Sequence, residues 1–453
     1  MLIQVRNDIQ LSQIPPALKT IITSRLIMNN PKFEEAERMG RWTEDIPECL
    51  QFYEPLTDGG MAIPRGYARQ LCILAKKHKV SYALEDRRRS LPEIDFNFIG
   101  KLKPFQQRAV GDICRRDFGT LEAPTGAGKT VMALAIIADR KQPAMVIVHS
   151  KELLNQWIAR IETFLGIPGS EIGIIGAGKS KIGTGITVGM VQTLCKMADE
   201  VVPYIGHVIV DECHRTPSRT FTEAVSAFDA RYMLGLSATP WRRDKLSRLI
   251  FLALGDVVHK VNKAGLIDRG DILPATIITR DTDFRPFSDP TTEYSRMLSE
   301  LTEDDARNHL ITGDITRVVE EGGGTSLVLS DRKGHCEALQ RLLKAKGIET
   351  ELLTGDIRHK DRQAIVARLD QGQIQVLIAT GQLVGEGFDC KNLTTLFLAT
   401  PIKFSGRVLQ YLGRVLRPAP GKSRATVYDY VDRHVGPLRA SAMARQKVYA
   451  SAA

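Results

Sequence analysis

A chain of 453 residues, 43% apolar and 25% charged, has the length for two or three domains and the composition of an ordinary globular protein. No run of about 18 apolar residues occurs, so no membrane span is expected, and charge interrupts the opening Met1–Asp8 segment, which does not read as a signal peptide. The seven cysteines (49, 72, 114, 195, 213, 336, 390) include no C-x-x-C pair, which argues against a zinc site or a disulfide framework and fits a reducing, cytoplasmic setting; the net charge of +10 leaves a polyanionic partner open.

Residues 1–98 mix polarities and carry the turn signals Pro15-Pro16, Asn30-Pro31, Asp58-Gly59-Gly60 and Ile63-Pro64-Arg65-Gly66. They show no α/β repeat, and a small α+β domain is expected. Residues 65–89 hold eight Lys/Arg against two Asp/Glu and end in Arg87-Arg88-Arg89. Residues 403–453 hold ten against two. On charge alone, nucleic-acid contact and plainly solvated faces both remain open.

From about residue 100, short apolar runs alternate with helical stretches, the pattern of parallel α/β sheets covered on both faces. Pro104-Phe-Gln-Gln107 comes first. A side-chain amide offers adenine both a donor and an acceptor, and Gln106 is the candidate, with Gln107 beside it.

Two phosphate-loop patterns follow. Residues 123–130 read Ala-Pro-Thr-Gly-Ala-Gly-Lys-Thr, and residues 173–180 read Gly-Ile-Ile-Gly-Ala-Gly-Lys-Ser. The second fits G-x-x-x-x-G-K-[ST] better, because the first opens on Ala123. Context reverses the choice. A phosphate loop needs a strand before it and a helix after it, so that the helix N-terminus and the loop N–H groups face the phosphates together. Gly119–Glu122 can be a short strand, and Val131–Arg140 is rich in helix formers. After Ser180, glycines and β-branched residues favour turns and strand. Thr125, Gly126, Ala127, Gly128, Lys129 and Thr130 are therefore the nucleotide-binding candidates, and 173–180 is expected to be a Gly-rich hairpin turn.

Strands are expected at Met145–Val148, Val208–Val210 and Met233–Leu236, with a helix over Lys151–Phe164. The run Val208-Ile-Val-Asp-Glu-Cys-His214 delivers two carboxylates to a strand's C-terminal edge, where α/β ligands bind. Asp211 suits the Mg²⁺-holding acid, with Thr130 completing the metal shell, and Glu212 suits the base that orients the attacking water. His214 is a coupling candidate. Leu236-Ser-Ala-Thr-Pro240 ends the next strand, and Ser237 and Thr239 can relay the state of Asp211.

A domain break is expected across 265–325, giving two α/β domains at 99–270 and 271–453. Beyond it, strands are expected at Ser326–Leu329, Val376–Ala379, Thr395–Ala399 and Thr426–Val431, and helices at Cys336–Lys346 and Arg362–Leu369. Thr380–Asp389 packs three glycines directly after a strand, where a backbone can approach a ligand closely, and Glu386 and Asp389 add charge there. In Gln410–Arg417, Arg414 and Arg417 are three apart, so a helix puts both guanidiniums on one face, the arrangement of an arginine finger.

In this order the segments resemble the motifs of superfamily-two helicases: 123–130 motif I, Asp211-Glu-Cys-His214 a DExH-type motif II, Ser237-Ala-Thr239 motif III, 380–389 motif V and 410–417 motif VI. Ala123 in place of the first glycine is usual there. The stretches from Gly235 to Asp244 and from Gly385 to Asp389 are most similar to the XPB/UvsW-like branch, which is also similar to restriction-enzyme translocase subunits. XPB-type proteins carry Arg-Glu-Asp after motif III, whereas this chain has Arg242-Arg243-Asp244. The resemblance implies two tandem RecA-like domains and an ATPase using ATP and Mg²⁺ on nucleic acid, with DNA the expected partner. Lys129, Asp211, Glu212, Arg414 and Arg417 would be catalytic, and His214, Ser237, Thr239 and Gln410 would couple. Ser150, Lys151, Gln192, Thr193, Thr380, Gly381, Arg242 and Arg243 would touch nucleic acid. Residues 1–98 would recognise the substrate.

Overall fold

The computed structural model describes residues 1–215, 219–238, 247–357, 359–381, 392–402, 411–413, 418–419, 422 and 424–450. The chain forms two compact units, residues 1–123 with 128–261, and residues 124–127 with 262–453.

The first unit opens with β1 (Leu2–Val5), β2 (Asp8–Ser12), α1 (Pro16–Arg25), β3 (Ile27–Asn29), α2 (Pro31–Arg38), β4 (Cys49–Gln51), β5 (Glu54–Pro55), β6 (Met61–Pro64), α3 (Ala68–Lys77) and β7 (Ala83–Asp86). Their main sheet runs β5-β6-β2-β1-β7, antiparallel except where β1 meets β7. Alternation along β1 and β2 points Ile3, Val5, Ile9 and Leu11 inward onto Leu18, Ile22, Leu71 and Leu74. This is the α+β fold expected of residues 1–98.

The same unit then builds α4 (Pro104–Cys114), β8 (Phe118–Glu122), α5 (Lys129–Arg140), β9 (Ala144–Val148), α6 (Lys151–Leu165), β10 (Gly173–Gly176), β11 (Lys179–Lys181), β12 (Ile186–Met190), α7 (Val191–Leu194), α8 (Ala198–Val201), β13 (His207–Val210), α9 (Arg219–Ser226), β14 (Tyr232–Ser237), α10 (Ser247–Leu254) and β15 (Val257–Lys260). Among the described residues the sheet order is β11-β10-β12-β9-β13-β14-β8-β15, parallel throughout except for the β10–β11 pair. Every residue of β9 and β13 is buried, as strands covered on both faces require. Because the strands are parallel, the segments after β8, β9, β12, β13 and β14 all leave from one edge.

The N-terminal module is bolted to the opposite end of this sheet. Arg65, 2% exposed, donates from Nη1 to the Ala230 carbonyl at 2.7 Å and the Arg6 carbonyl at 3.2 Å. Burial pushes its guanidinium down to about 9. Arg88 bridges Asp86 (2.6 Å) and Asp117 (2.7 Å), and Arg89 holds Asp229 through two bonds of 2.8 and 3.0 Å. Arg65 and Arg88 both lie over the Phe118 ring, at 5.8 and 5.9 Å from its centroid. Leu252 of α10 completes the module's own core. The connecting segment is tied down as well: Ile94 N–H donates to the Lys141 carbonyl, Ile99 N–H to that of Phe164, and Phe98 stacks on Phe164.

The second unit contains α11 (Lys263–Asp268), β16 (Ala275–Thr282), α12 (Tyr294–Glu303), α13 (Asp305–Glu320), β17 (Thr325–Ser330), α14 (Lys333–Ala345), β18 (Thr350–Leu353), α15 (His359–Asp370), β19 (Val376–Thr380), β20 (Leu393–Leu398), β21 (Ala425–Asp432) and α16 (Gly436–Ala450). Its described strands run β16-β21-β20-β17-β19-β18, all parallel. The break expected over 265–325 is in fact mostly structured. It holds α12, α13 and the eight-residue edge strand β16, whose half-exposed burial pattern masks it as polar loop.

Candidate functional site

Between β8 and α5 the chain turns through left-handed backbone at Gly126 (φ 89°) and Gly128 (φ 81°). Side chains rarely adopt this conformation, so glycine is what permits the loop. A Cβ at Gly128 would also lie 2.6 Å from the Gln106 amide nitrogen. The other end of that amide is engaged, because Oε1 accepts the Lys103 N–H at 2.9 Å in the first turn of α4. The expected adenine reader thus sits against the loop while capping its own helix.

Lys129 opens α5. Its Nζ donates to the Ala123 carbonyl at 3.3 Å and lies 3.7 Å from Glu212 Oε1. Asp211 and Glu212 leave the end of β13, two strands away across β14. Asp211 Oδ1 accepts its neighbour's own N–H at 2.9 Å, and Oδ2 accepts the Trp157 indole N–H at 2.8 Å. Burial and the adjacent Glu212 push the Asp211 carboxyl up, while the indole and the Lys129 ammonium act against them. Glu212 itself stands at φ 48°, a left-handed conformation costly for a residue with a side chain. His214 is buried, with Nδ1 2.9 Å from Ser237 Oγ and 3.3 Å from Glu212 Oε2. Ser237, at the end of β14, accepts the Ala123 N–H on its backbone carbonyl at 2.9 Å. Lys129, Glu212, His214 and Ser237 therefore form one continuous set of contacts, which returns to the loop's first residue.

An anion fits here: a glycine-shaped loop at a helix N-terminus, with the half-buried Lys129 beside it. A divalent cation fits next to it, where Asp211 sets a buried carboxyl group and Thr130 follows Lys129 in the chain.

The rival loop, 173–180, is the hairpin of β10 and β11. Ala177 (φ 52°) and Gly178 (φ 83°) form its tip, and Lys179 is exposed. Two consecutive left-handed residues make the tight turn that matches strand twist.

Ser150 caps α6, its Oγ accepting the Leu153 N–H at 3.3 Å, and is buried, whereas Lys151 beside it is exposed. Residues 188–190 end β12 and 191–194 form α7; exposed Gln192 reaches the His149 carbonyl, and Thr193 is half-buried. Met190 pairs with Val148, so these two segments leave the sheet side by side. In the second unit Thr380 ends β19 and is half-exposed, while the buried Gly381 carbonyl accepts the Tyr411 hydroxyl at 2.7 Å. Thr239, Arg242, Arg243, Glu386, Asp389, Gln410, Arg414 and Arg417 lie outside the described residues.

Sequence reasoning missed Trp157 as part of the site, naming only Ser150 and Lys151 from that stretch. It occupies the apolar stripe Leu154, Trp157, Ile161, Leu165 of α6. A buried indole needs an acceptor for its N–H, and that was the available signal.

Residues 99–242 match the family model described as "Type III restriction enzyme, res subunit", and residues 309–419 match "Helicase conserved C-terminal domain". Together these take in more than half of the chain. "Probable helicase D10" of Escherichia phage T5 is 27% identical over 387 residues, 82% of this chain and 80% of that protein. "DNA 3'-5' translocase XPB2" of Sulfurisphaera tokodaii is 33% identical over 160 residues, 35% of this chain and 36% of that protein. A solved structure titled "The fragment structure of a putative HsdR subunit of a type I restriction enzyme from Vibrio vulnificus YJ016" shares the fold, with a TM-score of 0.58 at 18% identity over 77% of this chain and 66% of that one. With two parallel α/β sheets and an Asp211-Glu212 pair set beside a glycine-shaped phosphate loop, the chain belongs to the superfamily-two helicases, enzymes built on an ATPase core.

Proposed function

We propose that this protein is an ATP-dependent DNA helicase or translocase that moves 3′ to 5′ and remodels duplex or branched DNA. The observation that carries the reading is the contact set Lys129–Glu212–His214–Ser237, because it connects a phosphate-binding lysine to a base and to a relay on the next strand. The local likeness to the XPB2 translocase favours DNA and this polarity.

In this reading residues 1–98 recognise substrate, 99–270 bind ATP and 271–453 form the helicase C-terminal domain. Lys129 neutralises charge on the β- and γ-phosphates, and Glu212 takes the proton of the attacking water. Gln106 reads adenine, Thr125–Thr130 wrap the phosphates, and Glu386 and Asp389 add nucleotide contacts. Mg²⁺, which Thr130 and Asp211 would hold, spreads the developing phosphoryl charge when bound. Arg414 and Arg417 supply transition-state charge. His214, Ser237, Thr239 and Gln410 couple turnover to movement. Ser150, Lys151, Gln192, Thr193, Thr380, Gly381, Arg242 and Arg243 form the track for the nucleic acid, with Ser150 acting through its backbone. Among the described residues no helix is long and apolar enough to cross a membrane. Among the described residues the cysteines form no disulfide, which suits a cytoplasmic enzyme.

ATPase rate measured with single-stranded, duplex and forked DNA and with RNA tests the reading. Stimulation by DNA that fades with salt is expected. Greater stimulation by RNA would make it an RNA helicase, and no stimulation by either would remove the motor. The match to a restriction-subunit family favours a second reading, a duplex translocase serving a partner nuclease. Triplex displacement without fork unwinding would select it.

A further inference from the structure

The basic run 65–89 looks uniform in sequence, but the fold splits it. Arg65, Arg88 and Arg89 turn inward and bolt the N-terminal module to the parallel sheet. Arg69 pairs with Asp256, and Arg87 pairs with Glu85. The acids of the run are thereby used up, since Glu85 is held by Arg87 and Gln4, and Asp86 by Arg88. What remains is Lys76, Lys77 and Lys79. All three are exposed, and none has an ion pair among the described residues.

Their placement is defined. Lys76 and Lys77 end α3, and Lys79 takes a left-handed turn (φ 54°) just beyond the cap residue His78. The Lys79 N–H donates to the Lys76 carbonyl and the Val80 N–H to the Ala75 carbonyl, which fixes the turn. The chain then passes exposed Tyr82, whose phenol lies near the exposed Cys72 thiol of α3, one turn before Lys76. Leu84, 61% exposed, follows in edge strand β7, and Ile73, 55% exposed, lies one turn before Lys76 and Lys77. Three unpaired ammonium groups beside an exposed phenol ring and two exposed aliphatic chains combine charge for phosphates with flat apolar surface for bases.

We infer that Lys76, Lys77, Lys79 and Tyr82 form an accessory site on the N-terminal module for a single strand of nucleic acid, the lysines meeting phosphates and Tyr82 stacking on a base. This rests on the reading that the protein acts on nucleic acid. It adds a second point of hold that moves with the first parallel sheet, because Arg65, Arg88 and Arg89 join the two.

The test uses the full chain and an oligo-dT strand, with binding followed by fluorescence anisotropy across a salt series. Lys76→Gln/Lys77→Gln/Lys79→Gln removes three cations from exposed positions and is expected to flatten the slope of log affinity against log salt by about 2. Tyr82→Ala is expected to weaken binding about fivefold or more while leaving that slope unchanged. Wild-type slope and affinity in both variants would overturn the site while wild-type DNA-stimulated ATPase kept the motor reading intact. Absence of nucleic-acid stimulation in the wild type would instead overturn the motor reading itself. A triple variant that loses duplex binding while keeping oligo-dT binding would also overturn the site, replacing it with a duplex contact.

Discussion

The indole of Trp157 donates its N–H to Asp211 Oδ2 at 2.8 Å, so a helix outside the phosphate loop orients the carboxylate proposed to hold the metal. Asp211 is already pushed up by burial and by Glu212. Its working form is the ionised one, so activity should fall on the acid side at a higher pH than an ordinary aspartate would give. Trp157→Phe removes a donor that favours the charged form and should move that limb higher still. It should also raise the half-saturating Mg²⁺ concentration about tenfold, as loss of a ligand-orienting partner does. Stability runs the other way. A buried acid with a raised value favours folding while protonated, so the metal-free protein should gain stability as pH falls through that range. Mg²⁺ titrations of the ATPase at several pH values, beside metal-free melts, check both halves.

Glu212 at φ 48° makes a second prediction. Glu212→Gly removes the side-chain cost of a left-handed backbone and the repulsion with Asp211. Unfolding should become about 1 kcal/mol harder while turnover drops at least about 100-fold. Denaturant melts beside single-turnover hydrolysis would show it. A variant both less stable and inactive would mean that the contacts with Lys129 and His214 outweigh the strain.

The two loops can be separated directly. Lys129→Ala should reduce ATP turnover by at least about 100-fold, because a preorganised positive charge at the phosphates is lost. Lys179→Ala sits on an exposed hairpin and should change stability by no more than about 0.5 kcal/mol, with turnover intact. Loss of turnover in the second variant alone would reverse the assignment of the nucleotide site.

Gly66 tests the seam between module and sheet. A Cβ there would lie 2.0 Å from the Phe251 carbonyl oxygen and 2.6 Å from that of Leu252, both backbone atoms of α10. Gly66→Ala should destabilise the protein by about 3 kcal/mol, read as a lowered denaturation midpoint. A wild-type midpoint would mean the seam yields without cost.

Much of this architecture was legible because strand burial and helix periodicity leave strong local signals. The run Val208–Val210 became β13, and Lys151–Phe164 became α6 with one more residue. The nucleotide loop was legible only through its neighbours, since the better spelling of the pattern belongs to the β10–β11 hairpin. Edge strand β16 was not legible, because only one of its eight residues is buried and the period-2 signal blurs. Nor was the Trp157–Asp211 bond, which joins residues 54 apart in sequence. The arginine anchors were hidden for a different reason. Charge counting treats every guanidinium as surface, and only tertiary packing turns Arg65 inward.

That packing bears on inheritance. A segment joined by a slack tether can be exchanged between relatives as a cassette, but this one cannot. Cutting at residue 98 would strip Asp117 and Asp229 of Arg88 and Arg89 and leave Leu252 without the core it completes. A transplanted replacement would have to bring arginines matching those two aspartates and a surface that receives α10. The first ninety or so residues and the sheet behind them therefore share one set of matched contacts.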